Sequence, residues 1–366
     1  MTPTPGHPHS IRLAAALLLF LSIFFLNCSN CRFRSGPRPL QPVIVTEPVQ
    51  FDSDDPAIWI HPSDPAQSLI IGTDKEANGG LYVFDLNGKI IPDKCVRPLQ
   101  RPNNVDVEYG LMLGGVPVDI AVTTERLLNR IRIFSLPDMK PIDGGGIEVF
   151  SGEAMRAPMG IALYKRPADG RIYAIVGRKE GPTDGRYLWQ YLLEDDGTGR
   201  VKATKVREFG LYSGVKEIEA IAVDDELGYV YYSDEQVGVR KYYADPDHAG
   251  GNSELALFAR EGFTADLEGI SIYTLPGGRG YILVSDQQAN KFHIFKREGE
   301  PGQPHQHTLV KVIKTSTSES DGSEVTSVPL NLTFPHGLFV AMSEDRTFHY
   351  YNWSDIAGTE LEMAGK

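Results

Sequence analysis

The sequence predicts an all-β fold, a six-bladed β-propeller, and three observations support this. A pattern of short apolar strands separated by polar turns recurs six times along the chain. The strands alternate apolar and polar residues and are rich in Val, Ile, Tyr and Phe, and no segment after the N-terminal apolar run keeps a helical period. The 366 residues include 37 Gly and 25 Pro, a content suited to many strands joined by tight turns.

The first 28 residues are predicted to be an export signal. Arg12 precedes an apolar run from Leu13 to Leu26, which has the length of a signal-peptide core and is short for a membrane span. Cys28 lies where a lipoprotein signal would be cleaved and lipidated, although Asn27 departs from the small residue usual before that cysteine. Two alternatives stay open: a cell-envelope lipoprotein held to the membrane only through Cys28, or a secreted or periplasmic protein with an ordinary signal.

Residues 29–46 are predicted to be a tether, because Pro37, Pro39 and Pro42 occur there among basic and small residues. The propeller is then expected to occupy residues 47–366 and to be a monomer.

Six residues, one per copy, mark the same phase of the repeat at the start of an apolar strand. These markers are Asp55, Asn104, Met159, Glu219, Glu268 and His336. They recur roughly every 56 residues, which suits one four-stranded blade per repeat. A β-sandwich is the rival all-β fold, but it would not explain six copies in phase.

The charge of the chain limits its partners. The formal net charge is -12 and the sequence pI is about 5.3, so the surface repels nucleic acid backbones, and no nucleic-acid partner is expected. The same charge would repel a polyphosphorylated molecule. An anionic substrate would therefore require bound cations or a local basic cluster.

A propeller gathers one phase of every repeat at one end of its central channel. The starts of the inner strands and the loops between second and third strands meet there. At the strand starts the chain offers Asp54, Asp55, Asp106, Glu219, Asp266 and Glu268, and at the loops it offers Lys75, Arg126, Lys179, Glu180, Glu235 and Gln287.

This mixture of residues indicates metal and phosphate chemistry. Crowded carboxylates repel one another unless cations lie between them. Oxygen ligands in an irregular arrangement favour calcium, and Lys or Arg side chains can then hold phosphate oxygens. Taken singly, each acidic residue has a structural alternative as an acceptor for the amides of a blade turn.

Five segments resemble the motifs of the β-propeller phytases. They are Asp54–Trp59, Asn103–Asp106, Gly177–Gly181, Asp224–Gly228 and Asp266–Gly269, within a similarity that runs from about Glu47 to Ile356. The resemblance implies a six-bladed propeller that hydrolyses the phosphate monoesters of phytate (myo-inositol hexakisphosphate). It also implies several calcium ions, a small-molecule substrate supplied as its calcium complex, and a metal-activated water.

The resemblance also assigns roles to residues. Calcium ligands are implied at Glu219, Glu235, Asp266 and Glu268, with Asp55 nearby, and more loosely at Gln287 and Asp321. Phosphate-binding and catalytic roles are implied at Lys75, Arg126, Lys179 and Glu180. Met159 stands where the family usually places a Tyr, and a thioether cannot coordinate calcium as a phenol oxygen does.

Two other functions stay open at this point. One is a surface-anchored binding propeller that keeps the fold without turnover. The other is a calcium-dependent propeller hydrolase that acts on another ester or on a lactone.

Overall fold

The computed structural model describes residues 1–2 and 38–365. The chain divides into two units, Met1–Arg38 and Pro39–Lys366, and every described strand belongs to the second. The predicted export signal with Cys28 and the tether as far as residue 37 lie outside the described residues. None of the helices in the described part is long and apolar enough to cross a membrane.

Short strands dominate the second unit because its sequence alternates apolar and polar residues between turns. In chain order the strands are β1 (Ile44–Val45), β2 (Ser53–Trp59), β3 (Leu69–Asp74), β4 (Gly80–Phe84), β5 (Pro102–Leu113), β6 (Val116–Glu125), β7 (Arg130–Ser135), β8 (Lys140–Pro141), β9 (Ile147–Glu148), β10 (Pro158–Lys165), β11 (Ile172–Arg178), β12 (Leu188–Asp195), β13 (Val201–Phe209), β14 (Ile221–Asp224), β15 (Tyr229–Asp234), β16 (Gly238–Tyr243), β17 (Ala256–Phe258), β18 (Leu267–Thr274), β19 (Gly280–Asp286), β20 (Lys291–Lys296), β21 (Leu309–Lys314), β22 (Ser323–Thr326), β23 (Leu338–Ser343) and β24 (Thr347–Asn352). Helical structure is limited to short elements: 3-10 turns at Pro65–Gln67, Pro92–Lys94, Arg126–Leu128 and Gln287–Ala289, and the helix α1 (Trp353–Ala357).

The strands form six antiparallel sheets, and the predicted six-bladed propeller is confirmed. The sheets are β2-β3-β4, β5-β6-β7-β8 with β9, β10 to β13, β14 to β17, β18 to β21, and β22-β23-β24-β1. The first strands β2, β5, β10, β14, β18 and β22 each contact the next, and β22 contacts β2. These six strands therefore form a closed inner ring.

The hydrophobic core is divided into six layers, one between each pair of neighbouring blades. Between blades two and three, for example, Val122 packs in one cluster with Ile161 and Leu163. Phe348 of blade six packs in one cluster with Ile70 of blade one, so the last layer closes the ring. Each strand alternates between two such layers, which explains the period of two in the sequence.

The sixth blade is completed by the N-terminal end of the unit. Ile44 pairs with Tyr350 and Val45 with His349 in antiparallel register. The amide of Thr46 also donates to the Phe348 carbonyl at 3.0 Å. The propeller therefore begins before residue 47, and residues 44–46 of the predicted tether belong to a blade.

The phase assigned to the sixth repeat was wrong. His336 was taken to precede an inner strand, but Leu338–Ser343 is the second strand of its blade and Ser323–Thr326 is the inner one. Asp321, two residues before β22, occupies the position of the repeat that Glu268 holds in blade five.

An acidic residue ends the second strand in four blades, and it holds the loop that enters the same blade. Asp74 accepts the Asp52 amide at 2.7 Å, and Glu125 accepts the Gln100 amide at 2.8 Å. Asp234 and Asp286 accept the Ser213 and Thr264 amides in the same way at 3.0 and 2.9 Å. These four buried carboxylates therefore have a structural role: they accept hydrogen bonds from backbone amides, as the sequence analysis allowed for acidic residues at blade turns.

Candidate functional site

Five of the predicted site residues come directly after second strands. Lys75, Arg126, Lys179, Glu235 and Gln287 follow β3, β6, β11, β15 and β19. Because the second strands all run toward the same end of the propeller, these residues meet the starts of the inner strands there. We call this end of the channel the mouth.

The first group at the mouth, the Glu235 cluster, consists of Glu235, Asp266 and Glu268. One carboxylate oxygen from each residue lies within 4.8 Å of the others, and all three side chains are buried. The Lys216 ammonium lies 2.7 Å from Glu235 Oε2, 2.7 Å from Asp266 Oδ2 and 3.9 Å from Glu268 Oε1. Three predicted metal ligands from blades four and five are thus brought together.

A second group shares Glu235 with the first and contains Glu217 and Glu219. The Lys179 ammonium lies 2.7 Å from Glu217 Oε2. The second group therefore links the carboxylates in the channel to a lysine at the outer edge of the mouth.

The third group surrounds Lys75. Its ammonium contacts Asp54, lies 3.0 Å from Asp321 Oδ2 and lies 3.9 Å from Glu219 Oε1. Although burial opposes it, these carboxylates raise the pKa of Lys75, so the side chain stays charged. The Gln287 amide donates to Asp321 Oδ1, which places both loosely matched residues in this group.

Arg126 reaches the same carboxylates through an asparagine. Its Nη2 donates to Asn103 Oδ1, and Asn103 Nδ2 donates to Glu219 Oε1. Burial lowers the pKa of Arg126, and its Nε has no hydrogen-bond partner among the described residues. Arg126 is therefore a cation with unused donor capacity beside the third group.

Two glycines allow neighbouring inner strands to approach closely at the mouth. A Cβ on Gly322 would lie 2.5 Å from Asp55 Oδ1 and 2.6 Å from the Asp54 carbonyl oxygen. A Cβ on Gly269 would lie 2.8 Å from the Ser323 amide nitrogen. Any larger residue would push the strands apart, so these glycines hold the carboxylates of blades one, five and six together.

The Glu235 cluster has the properties of a cation site. Glu235 Oε1 and Glu268 Oε2 accept no hydrogen bond from the described residues, and the Lys216 ammonium is the one described donor near Glu235 Oε2. Burial raises the pKa of Glu235 to about 8. Burial, and next the neighbouring carboxylates, raise the pKa of Glu268 well above its usual range. Carboxylate oxygens buried without donors fit a hard divalent ion such as calcium.

Asp266 differs from its neighbours because it is well supplied with donors. Gln236 donates to its Oδ1 at 2.9 Å, and Gln288 donates to its Oδ2 at 2.8 Å. Burial opposes the effect, but these bonds and Lys216 lower the pKa of Asp266. Asp266 is therefore the member of the cluster held ionised by the protein itself.

Asp55 does not join these groups. Its Oδ2 accepts the Val105 amide at 3.0 Å, and the side chain lines a channel cavity of about 360 Å³ with Asn104, Asp106 and Glu324. Burial raises the pKa of Asp55 well above its usual range. The neighbouring residue Asp54 lies at the mouth instead. The sequence analysis included Asp54 among the acidic residues expected to converge there, but it did not predict Asp54 to be a metal ligand.

Lys179 and Glu180 lie at the outer edge of the mouth, where both side chains are exposed. With Asn129, Met155 and Arg156 they line a pocket of about 420 Å³. This pocket provides room for a ligand larger than a single phosphate group.

Several residues of the mouth were missed from the sequence. Lys216, Glu217, Asn103 and Gln288 were not chosen, although Lys216 and Glu217 stand directly before Ile218-Glu219. Charged residues beside a repeat marker were the available signal. Nothing in the sequence indicated that the connector before β14 folds back over the mouth.

Comparison with known proteins decides the family. A sequence model of the Phytase family matches residues 13–350. The 3-phytase of Bacillus subtilis (strain 168) is 32% identical over 337 residues, which cover 85% of this chain and 82% of that protein. The chain belongs to the phytase family. Phytases are phosphoric monoester hydrolases, and family membership assigns the chain to this enzyme class.

Two solved structures were also compared with this phytase-family chain. The Dos1 propeller has a TM-score of 0.42 and 11% identity, covering 82% of this chain and 67% of that one. A luciferin-regenerating enzyme has a TM-score of 0.46 and 14% identity, covering 85% and 95%. The fold assignment stands on the six sheets themselves.

Met159 is the residue at which the resemblance to the family leads us to expect a Tyr. Its side chain is 1% exposed at the start of β10, and its carbonyl accepts the Thr124 hydroxyl at 2.7 Å. A buried thioether supplies neither a hydrogen-bond donor nor a calcium ligand at the mouth.

Proposed function

We propose that this chain is a calcium-dependent hydrolase of phosphate monoesters that acts on phytate with water as the nucleophile. The observation that carries the proposal is the Glu235 cluster: three buried carboxylates, two of them with oxygens that lack a hydrogen-bond donor, in a mouth that also holds Lys75, Arg126 and Lys179. The 32% sequence identity to a 3-phytase supports phytate as the substrate.

Glu219, Glu235, Asp266 and Glu268 would hold the calcium ions, with Asp321 and Gln287 beside them. Calcium bound there would neutralise phosphoryl charge and lower the pKa of a water molecule. The protein's part is to keep these carboxylates close together, which the ring of inner strands and the glycines between them achieve.

The cationic side chains would bind the substrate. Arg126 has an unpaired Nε, the Lys75 ammonium lies 3.9 Å from Glu219 Oε1, and the Lys179 ammonium lies 2.7 Å from Glu217 Oε2. Phosphate groups spaced around an inositol ring could contact more than one of these cations at once. Calcium ions bound among the carboxylates would supply the further positive charge that a phosphorylated substrate needs to approach a chain with a net charge of -12.

A second candidate is a binding propeller that holds calcium and phytate without turnover. Met159 favours it, because the position usually filled by a Tyr in this family carries a buried thioether. The two candidates share the mouth and differ only in the rate of phosphate release.

The test is phosphate release from phytate by protein lacking residues 1–28, in calcium and in a chelator. The proposed hydrolase releases phosphate in calcium, loses this activity on chelation and recovers it when calcium is restored. Calcium binding without phosphate release would support the binding propeller. Activity that persists in the chelator would contradict a calcium requirement.

We also propose that the protein is exported, on the basis of its N-terminal sequence alone, and that it acts as a monomer. If Cys28 is lipidated, full-length protein expressed in bacteria incorporates labelled fatty acid, and Cys28→Ala abolishes the incorporation. An unlabelled protein cleaved before residue 39 would support ordinary secretion instead.

A further inference from the structure

Lys216 lies inside the Glu235 cluster rather than at its edge. Its ammonium contacts two carboxylates at 2.7 Å and a third at 3.9 Å, and these contacts come from both blade four and blade five. It is also the only described cation within 4.0 Å of Glu235. The lysine thus supplies the positive charge that these buried carboxylates require.

A calcium ion and the Lys216 ammonium would need the same space. Calcium binds carboxylate oxygens at about 2.3–2.6 Å, and the cluster's oxygens lie within 4.8 Å of one another. The Lys216 ammonium lies 2.7 Å from Glu235 Oε2 and 2.7 Å from Asp266 Oδ2, so an ion bound by these carboxylates would lie directly beside it, and like charges that close repel strongly.

We propose that Lys216 is a tethered counter-ion that must leave the Glu235 cluster before a divalent cation binds there. The inference rests on the proposed function, because it concerns the calcium site on which that function depends. Lys216 lowers the calcium affinity of the cluster and, in exchange, stabilises the metal-free protein.

The surroundings of Lys216 suit a side chain that exchanges between two positions. Its carbonyl accepts the Tyr212 hydroxyl, so the backbone is held while the side chain, 35% exposed, can turn to solvent. Asp266 keeps the amides of Gln236 and Gln288 when the lysine leaves. Glu235 keeps no donor among the described residues when the lysine leaves, so the metal ion would replace Lys216 as the cation that balances its negative charge.

The test compares calcium binding by three proteins, wild type, Lys216→Met and Lys296→Met, using isothermal titration calorimetry. Lys296 is the matched control, because its side chain is also 35% exposed and it pairs with Glu300 at 3.0 Å, outside the mouth. Lys216→Met should bind calcium about tenfold more tightly or better, since a buried ionic competitor is gone. Lys296→Met should bind as the wild type does.

Thermal unfolding gives a second readout that does not depend on activity. Without calcium, Lys216→Met should have a lower Tm than the wild type, because its buried carboxylates have lost their counter-ion. Calcium should then raise its Tm by more than it raises that of the wild type. Lys216→Arg, which keeps the charge, should resemble the wild type in both measurements.

If Lys216→Met folds only in calcium, its affinity can be measured by competition with a chelator of known affinity, and tighter binding there supports the proposal equally. Equal or weaker calcium binding by Lys216→Met would overturn the proposal and leave the proposed function intact. Failure of all the proteins, wild type included, to bind calcium would overturn both.

Discussion

At the scale of single residues, Lys179 is the side chain whose role is easiest to separate from stability. It is 45% exposed, and its one described ion pair is with Glu217 at 2.7 Å. Lys179→Ala should lower phosphate release from phytate by about 100-fold or more, which is the usual effect of losing a positioned hydrogen-bond donor that stabilises negative charge in the transition state. The Tm should stay close to that of the wild type, because exposed substitutions change stability by about 0.5 kcal/mol or less.

Lys202→Ala is the control for Lys179→Ala, because Lys202 is an exposed lysine of β13 paired with Glu194 at 3.9 Å. It should leave both activity and Tm unchanged. Near-normal activity of Lys179→Ala would show that this lysine does not bind the reacting phosphate.

Glu108 should make stability depend on pH. Burial, and next the charge of Asp225, raise the pKa of Glu108 from its ordinary value near 4.5 to about 9. The folded state then keeps a proton that the unfolded state releases, so stability falls as pH rises from about 4.5 to about 9. In a chelator, Glu108→Gln should therefore show a smaller fall in Tm between pH 5.5 and 8.5 than the wild type, because the amide cannot ionise.

Glu194→Gln, which changes an exposed glutamate of β12, should follow the wild type over the same pH range. Parallel curves for Glu108→Gln and the wild type would mean that Glu108 is not the group that titrates.

The sequence predicted most of the mouth's residues but not which of two neighbours faces it. Asp54 and Asp55 are adjacent, so one must point to the mouth and the other elsewhere. A β-bulge between Ser53 and Pro56 breaks the strict alternation, and its effect on direction is not visible in the residue types. Lys216 was missed for a different reason: it lies on a connector, outside the repeat phase used to find the site.

At the scale of elements, the spacing of the inner strands depends on glycine. Gly322→Ala should destabilise the protein by about 1–3 kcal/mol, the usual penalty for overpacking, because its Cβ would meet the backbone of Asp54 and Asp55. Chemical denaturation measures this as a lower midpoint. The shift of blade six against blade one should also weaken calcium binding.

Gly250→Ala is the control for Gly322→Ala, because the nearest atom to its Cβ would be His248 Nδ1 at 3.5 Å, an ordinary contact. Its denaturation midpoint should match the wild type. Equal denaturation midpoints for the two variants would show that the inner strands can accommodate a Cβ at Gly322.

The phase of the sixth blade was not predictable from its residues, because its inner strand is short and polar. Ser323–Thr326 has four residues and includes Glu324, whereas Leu338–Ser343 has the apolar character expected of an inner strand. Burial on both faces makes first and second strands alike in composition. In the other five blades the marker lay in or just before the inner strand, and the phase was right.

At the scale of the whole molecule, the ring is closed by β1. Val43 donates to the Tyr350 carbonyl at 2.8 Å, and the Phe348 amide donates to Thr46 Oγ1 at 2.9 Å. A variant that begins at residue 47 loses these bonds and should be less stable by about 2–5 kcal/mol, at about 1 kcal/mol per hydrogen bond. The comparison is its denaturation midpoint against that of a variant that begins at residue 39.

A variant beginning at residue 47 that is as stable as the longer one would show that β24 needs no partner. The sequence did predict six blades, because it contains six copies of one strand pattern. It did not predict the closure, because Ile44–Val45 is only two residues long and lies in a proline-containing segment that resembles a linker.

The central claim is that carboxylates from several blades share metal ions at one mouth. The most direct measurement is a crystal structure grown in calcium, with an anomalous difference map to locate the ions. We expect anomalous peaks about 2.3–2.6 Å from carboxylate oxygens of Glu235, Asp266 and Glu268. A map with calcium only at other places, and none between these three residues, would contradict it.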